Sequence, residues 1–179
     1  MLNICGIDPA LRNTGVVRGV LDTSSRSIRL SDCLLITTEP STEKILKSAD
    51  DLERSQHIHT QLHKFIKDVD LVFCEMPVGS QTSRAQTSYG IIIGLLASIK
   101  TPIIRVSPLE VKHVVGATKT TTKKEIITWA VSIYPWLSWM RTKKGIITNQ
   151  NEHVADAIAT IHAGLETEQF KQAATFIEK

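Results

Sequence analysis

Cysteine is scarce in this chain, and its placement excludes two common classes of small protein. The three cysteines are Cys5, Cys33 and Cys74, each within an apolar run, and no two of them have the Cys-x-x-Cys spacing. An odd number of cysteines in this pattern argues against a disulfide framework and against a zinc knuckle. We therefore interpret them as buried thiols, which are typical of a reducing cytoplasm.

The sequence also lacks a long hydrophobic run and a recognisable targeting segment. The longest apolar run, residues 91–99, is interrupted by Gly94 and Ser98 and is far shorter than the roughly 20 residues of a membrane-spanning helix. The first ten residues, MLNICGIDPA, have no basic segment of the kind that opens a secretory signal. We expect a cytoplasmic protein with no membrane partner.

Length and composition are those of an ordinary globular domain. The chain has 179 residues, of which 42% are hydrophobic and 22% are charged. A chain of this length can bury a core without help from disulfides or metal clips. We find no internal repeat, low-complexity tract or linker, so we predict a single domain over residues 1–179.

The predicted elements indicate an α/β domain on a mixed sheet. Three strands open it, over residues 2–7, 15–21 and 28–37. A helical pattern over residues 41–68 then leads to a compact apolar strand over residues 71–74. The later elements are a helix through residues 91–99, a strand over 103–106 and helices over 110–115, 122–134, 151–165 and 167–177. Antiparallel opening strands, later parallel strands and flanking helices resemble the RNase H-like fold.

Three acidic side chains stand where burial makes an isolated charge costly. Asp8 ends the first strand, Glu75 ends the strand after the long helix, and Asp156 lies in the apolar stretch Val-Ala-Asp-Ala-Ile-Ala. A carboxylate in such a place is unfavourable unless it is paired or bound to a metal. If the two strands are neighbours, Asp8 and Glu75 meet at one edge of the sheet, and a divalent cation would relieve their repulsion.

Two residues on the late helix are alternative candidates for a fourth ligand. His153 and Glu152 precede Asp156 by three and four residues, so both project near it on one helix face. Either could complete a site for a hard cation such as Mg²⁺, and the histidine could instead act as a general base. Taken singly, each acid has a simpler interpretation as a turn residue, a surface acid or a partner of a lysine. Their joint placement favours a metal site.

Positive charge is concentrated between Lys100 and Lys144, although the net charge of the chain is only +3. The segment contains two acids and nine basic residues: Lys100, Arg105, Lys112, Lys119, Lys123, Lys124, Arg141, Lys143 and Lys144. Such a segment fits a phosphate-binding surface, with a solvated face as the alternative. Trp136 and Trp139, in the same region, either stack on unpaired DNA or pack on the domain.

Four motifs, in order along the chain, resemble those of the RuvC-type Holliday junction resolvases. The first is Gly-Ile-Asp8-Pro-Ala with Asn-Thr-Gly15-Val after it, and the second is Glu75 after Val-Phe-Cys. A lysine-bearing stretch over residues 108–125 is the third, and His153-Val-Ala-Asp156-Ala-Ile-Ala is the last. The likeness extends from residue 2 to about residue 165.

The resemblance implies a homodimeric endonuclease that resolves four-way DNA junctions, and other branched DNA, by symmetric metal-dependent hydrolysis. By residue-by-residue transfer, the catalytic and metal-binding set is Asp8, Glu75, His153 and Asp156. The DNA contacts are Lys112 and Lys123, with Lys124 equally well placed. The implied cofactor is Mg²⁺, with Mn²⁺ expected to substitute for it.

The chain departs from the family pattern at three points. Val78 stands where bacterial members carry an aromatic residue, which removes the expected base wedge there. His153 replaces the aspartate of many members, and residues 134–150 form a longer segment than the family usually has.

Parts of the sequence also fit three other functions. Residues 6–15 also resemble the phosphate loop of sugar kinases and actin-type ATPases, but those proteins need two such domains and 179 residues provide one. An RNA-processing nuclease of the same fold and a non-catalytic junction-binding protein remain open alternatives.

Overall fold

The computed structural model of the chain describes residues 1–79, 82–116 and 122–177. Its strands are β1 (Leu2–Asp8), β2 (Asn13–Asp22), β3 (Ser27–Thr37), β4 (Leu71–Glu75) and β5 (Ile103–Val106). Its helices are α1 (Lys47–Phe65), α2 (Ser83–Ala97), α3 (Pro108–Val114), α4 (Lys123–Ile133), α5 (Glu152–Glu166) and α6 (Glu168–Ile177). Lys119, one of the nine basic residues, lies outside the described residues.

The strands form one mixed sheet in the order β3-β2-β1-β4-β5. The first three strands pair antiparallel, whereas β1 with β4 and β4 with β5 pair parallel. This arrangement confirms the predicted antiparallel opening and parallel continuation. Ile7 is the register partner of Cys74, so the residues that follow them, Asp8 and Glu75, end neighbouring strands at the same edge.

Helices cover both faces of the sheet, because successive strand side chains point to opposite sides. Phe73 faces α5, where it packs in one core with Ile158 and Phe170. Its neighbour Val72 faces the opposite way, into a second core with Ile58 of α1. The helix that carries His153 and Asp156 therefore lies on one face, and α1 and α2 lie on the other.

Two glycines allow α5 to approach the sheet at backbone distance. A Cβ atom at Gly15 of β2 would lie 2.0 Å from the carbonyl oxygen of His153, and one at Gly6 of β1 would lie 2.2 Å from that of Ala157. No side chain fits in so short a gap, so the close contact requires glycine at both positions. The approach sets the first turn of α5 beside the end of β1.

Two predicted helix starts differ from the structure. Helix α1 begins at Lys47 rather than near residue 41, since the Ser41 N–H donates to the Asp50 carboxylate and holds the preceding segment in a non-helical path. Asn151 holds the N-cap position of α5, but it lacks the capping hydrogen bond that an asparagine before a helix predicts. Asn151 has helical dihedral angles in a short 3₁₀ turn, and its side chain makes no capping hydrogen bond. At the start of α4, Thr122 and Glu125 form a capping box.

A search of the described ranges for helices long and apolar enough to cross a membrane finds none.

Candidate active site

Residues from three separate elements meet at the edge of the sheet where β1 and β4 end. Asp8 comes from β1, Glu75 from β4, and His153 and Asp156 from the first turns of α5. The N–H of His153 Nδ1 donates to Asp8 Oδ2 over 2.8 Å, linking residues 145 positions apart in the sequence. The four residues predicted as the catalytic set therefore lie together, although their role as ligands stays a prediction.

The carboxyl groups repel one another across this site. Burial raises the pKa of Glu75 to about 7, and the charges of Asp8 and Asp156 act in the same direction. Burial also raises the pKa of Asp156 to about 7, again reinforced by Asp8. Desolvated acids that also repel each other are typical of functional sites, where a bound cation or a reaction needs them.

His153 is held between two carboxylates. The hydrogen bond to Asp8 raises the pKa of His153, an effect that burial opposes and that the negative charges of Asp8 and Glu152 assist. Its second ring nitrogen, Nε2, lies 3.4 Å from Glu152 Oε1. The imidazole is thus oriented from both sides, and the other Glu152 oxygen, Oε2, is engaged elsewhere.

That other oxygen pairs with Lys123, the first residue of α4. Lys123 Nζ lies 2.8 Å from Glu152 Oε2, and its side chain is 77% exposed. The pKa of Lys123 is raised, first by the hydrogen bond to Glu152 and then by its charge. A pair whose lysine is so exposed contributes little stability, but it places an ammonium group at the rim of the carboxylate cluster.

The two other predicted DNA-binding lysines occupy different surroundings. Lys112, exposed on α3, is close enough for its charge to lower the pKa of Glu75 against the stronger effect of burial. Lys124 lines a groove between α4 and residues 146–149. Lys123 and Lys124 therefore occupy different surroundings, although their adjacent positions in the sequence predict equal placement.

The side chains do not enclose a cation as they stand. Among the described residues, no three His, Cys, Asp or Glu side chains are arranged to hold one ion. The donor set nevertheless fits a hard divalent metal, because carboxylates from separate elements share one edge and their mutual repulsion would be relieved by a positive ion.

The two tryptophans of the long segment have different surroundings. Trp139 is 6% exposed and its indole N–H donates to the Tyr134 carbonyl, so it is part of the core. Trp136 is 61% exposed, although its N–H donates to the Leu30 carbonyl on β3. Packing on the domain is thus the correct interpretation for Trp139.

The family model described as "Crossover junction endodeoxyribonuclease RuvC" matches residues 4–162 of the chain. The chain belongs to the RuvC family. The matched range includes β1, β4 and the first turns of α5, which supply the clustered side chains. Membership confirms the predicted family and the predicted enzyme class, a metal-dependent endonuclease for DNA crossover junctions.

Two relatives carry the same family name. The proteins of Parasynechococcus marenigrum (strain WH8102) and Prochlorococcus marinus (strain MIT 9313) are each 28% identical to this chain over 133 residues. In both cases the alignment covers 70% of this chain and 79% of the relative.

Solved structures of RuvC and of a viral resolvase share the fold. The structure described as T. thermophilus RuvC in complex with Holliday junction substrate matches with a TM-score of 0.68 at 17% identity, covering 96% of this chain and 97% of that chain. The fowlpox virus Holliday junction resolvase matches with a TM-score of 0.55 at 16% identity, covering 92% and 98%. These likenesses confirm the predicted RNase H-like fold.

Sequence reasoning left two features of the site unresolved. It offered Glu152 only as an alternative ligand, whereas Glu152 joins Lys123 to His153. No local sequence pattern predicts this pair, because the two residues are 29 positions apart and belong to different elements. It also did not predict that the Asn151 side chain hydrogen-bonds to the backbone of Met140 and Thr148.

Proposed function

We propose that this RuvC-family chain resolves four-way DNA junctions with Mg²⁺ held by Asp8, Glu75, Asp156 and His153. The observation that carries the proposal is the meeting of three carboxylates from β1, β4 and α5 at one sheet edge, with the pKa values of Glu75 and Asp156 both raised to about 7. Carboxylates kept this close to one another are suited to a divalent ion, because its charge offsets their repulsion. We expect Mn²⁺ to substitute for Mg²⁺.

Bound Mg²⁺ would supply Lewis-acid stabilisation of the phosphodiester and lower the pKa of a coordinated water. The protein's own residues supply position and charge. Asp8 and Glu75 are fixed by the parallel register of two buried strands. Asp156 and His153 are fixed by the glycine-mediated contact of α5 with the sheet. The positive end of the α5 dipole lies at the same place and favours the negative charge of a phosphate.

Lys112 and Lys123 both lie near this cluster, since the charge of Lys112 lowers the pKa of Glu75 and Lys123 pairs with Glu152. We assign both to phosphates that flank the scissile bond, and we assign Lys124 to DNA farther from the metal. Lysine suits this role because it is a flexible point charge. In the same proposal, the Lys123 ammonium group leaves the Glu152 carboxylate and pairs with the DNA phosphate when the phosphate binds.

Resolution by two symmetric nicks needs two active sites, and a two-fold dimer provides them. Helix α2 fits a dimer face: a Cβ atom at Gly90 or Gly94 would meet nothing within 4 Å, and Ile93 between them is 42% exposed. We also propose that residues 1–179 form one domain and that the protein acts in the cytoplasm.

Replacing Asp8 with asparagine tests the assignment of the site. We expect Asp8→Asn to abolish cleavage of a labelled synthetic four-way junction while leaving junction binding intact, because the change removes a ligand and keeps the fold. Asp68→Asn, an exposed acid at the opposite end of β4, is the matched control and should cut normally. Nick mapping on strands of the junction, with Mg²⁺ and then with EDTA, gives the readout.

Undiminished cutting by Asp8→Asn would contradict the proposed site. A structured RNA incubated in parallel distinguishes junction resolution from RNA processing. Cleavage of the RNA and not of the junction would assign the chain to RNA processing. Binding of the junction without nicks under any divalent ion would make it a junction-binding protein only.

A further inference from the structure

The long segment before α5 contains a tight basic hairpin formed by residues 141–147. Arg141 and Ile147 form an antiparallel bridge, and the Thr142 N–H donates to the Ile146 carbonyl over 2.8 Å. Gly145 makes the turn with a φ of 79°, a value that favours glycine. The Arg141 guanidinium donates to the Gly145 carbonyl. The basic hairpin is therefore an ordered element rather than an open loop.

Asn151 ties the base of the basic hairpin to α5. Its side chain is 1% exposed, accepts from the Met140 N–H, and donates to the carbonyls of Met140 and Thr148. Both ends of the hairpin are thus joined to the residue that precedes Glu152 and His153. The hairpin is held at a fixed position relative to the active site.

A groove of about 430 Å³ separates the basic hairpin from α4. Its walls are mainly aliphatic, with Ile127 and Val131 on the helix and Ile146 and Ile147 on the hairpin. Ile146 is 62% exposed, so part of the apolar wall of the groove is open to solvent. The groove has the volume of a ligand site.

The charge around the groove is positive. Lys124 lines it, and Lys143 and Lys144 are exposed on the hairpin. Within the described part of the chain, the residues that line the groove include no Asp or Glu. The surface therefore offers apolar walls with a cationic rim, which matches a ligand that is apolar on one side and anionic on the other.

We propose that this groove and the basic hairpin bind an unpaired nucleotide segment of the DNA substrate. Within a DNA substrate, unpaired segments present both features, because a duplex keeps its base faces stacked inside and shows mainly phosphates. The proposal rests on the function proposed above, to which it adds a contact with the opened centre of the junction.

Continuity with the active site favours DNA over an acidic peptide. Lys123 and Lys124 are consecutive residues in the first turn of α4; one reaches Glu152 at the carboxylate cluster and the other lines the groove. A strand held by Lys123 beside the metal ligands can thus continue to Lys124 and into the groove. A peptide would match the groove alone and would gain nothing from this connection.

The test uses the full chain and three fluorescent probes: a synthetic four-way junction, a linear duplex and an oligothymidylate of 20 nucleotides. Ile146→Asp places a negative charge on an exposed wall of the groove, and Ile146→Leu keeps that wall apolar. We expect Ile146→Asp to bind the junction and the oligothymidylate about tenfold more weakly, as for the lost contact with one base, and to bind the duplex unchanged. Ile146→Leu should bind all three like the natural chain.

The paired substitution Lys143→Ala with Lys144→Ala tests the rim. We expect it to reduce the slope of log affinity against log salt for the oligothymidylate by about 1.4, from two lost phosphate contacts on a single strand. Lys64→Ala with Lys67→Ala, exposed on the α1 side of the sheet, removes the same charge and should leave the slope unchanged.

If Ile146→Asp binds the junction and the oligothymidylate as tightly as the natural chain does, the proposal is overturned. The groove would then be assigned to a protein partner. Equal weakening on all three probes would also overturn it, since the contact would then be with duplex. If the natural chain fails to cut the junction while Ile146→Asp still weakens oligothymidylate binding, the groove assignment stands and the resolvase function fails.

Discussion

Replacing Asp156 with asparagine removes a charge that the fold partly desolvates, and we expect the chain to become more stable at alkaline pH without divalent ions. Burial is the main reason why the pKa of Asp156 is raised to about 7, and the Asp8 charge adds to it. The folded state therefore binds a proton that the unfolded state has already released. Stability falls as pH rises from about 4, the ordinary pKa of aspartate, to about 7, and the full cost is present above that value.

The size of the effect follows from the pKa. A carboxyl group whose pKa rises from 3.8 to about 7 costs the folded state about 4 kcal/mol once ionised, at about 1.4 kcal/mol per pKa unit. Part of the Asp156 surface remains in contact with water, so we expect about 1–2 kcal/mol to be recovered by Asp156→Asn. For a chain of this length that gain raises Tm by about 2–8 °C.

Thermal unfolding in EDTA at pH 8.5 measures the gain, and a second series toward pH 4 should show it shrinking. Glu166→Gln is the matched control, since Glu166 is an exposed acid at the far end of the same helix. Added Mg²⁺ should then raise the Tm of the natural chain more than that of Asp156→Asn, because a ligand stabilises the state that binds it. A Tm for Asp156→Asn at or below that of Glu166→Gln at pH 8.5 would refute the reasoning.

Three further predictions follow from the site. At limiting Mg²⁺, junction cleavage should increase with pH up to about 7, because Glu75 and Asp156 ionise in this range. The midpoint of this pH profile should move to lower pH as the Mg²⁺ concentration is raised. A midpoint that does not depend on Mg²⁺ in initial-rate assays would contradict competition between protons and metal. Gly15→Ala should destabilise the chain by about 1–3 kcal/mol in denaturant titrations and impair cleavage, because the methyl group would lie 2.0 Å from the His153 carbonyl oxygen. Gly79→Ala, with nothing within 4 Å, is its control. Lys123→Ala should reduce the salt slope of junction binding by about 0.9, and an unchanged slope would remove Lys123 from the DNA interface.

The sequence was sufficient to predict the sheet edge of the site because the relevant signals are local. A short apolar run that ends in an acid predicts a buried strand with a carboxylate at its tip, and this pattern occurs at Asp8 and again at Glu75. The alanines around Asp156 likewise indicate a helix that packs closely. The parallel pairing of β1 with β4 then brings the two strand ends together.

The features that sequence reasoning missed depend on contacts between distant side chains. Asn151 precedes a helix, which is the usual signal for a side-chain N-cap. Its side-chain amide instead donates hydrogen bonds to the carbonyls of Met140 and Thr148. No local pattern distinguishes these two roles. The burial of Trp139 and the exposure of Trp136 are likewise set by packing against Tyr134 and β3, three-dimensional contacts with no periodic signature.

The contact between β1 and α5 also governs when a growing polypeptide could acquire the ability to cut DNA. Asp8 emerges from the ribosome early, whereas His153 and Asp156 are made almost 150 residues later. All five strands of the sheet precede α5 in the chain, so a nascent or prematurely terminated product can contain the whole sheet and still lack half of the clustered side chains. Synthesis order alone thus delays completion of the proposed metal site until the helix that covers the sheet has been made.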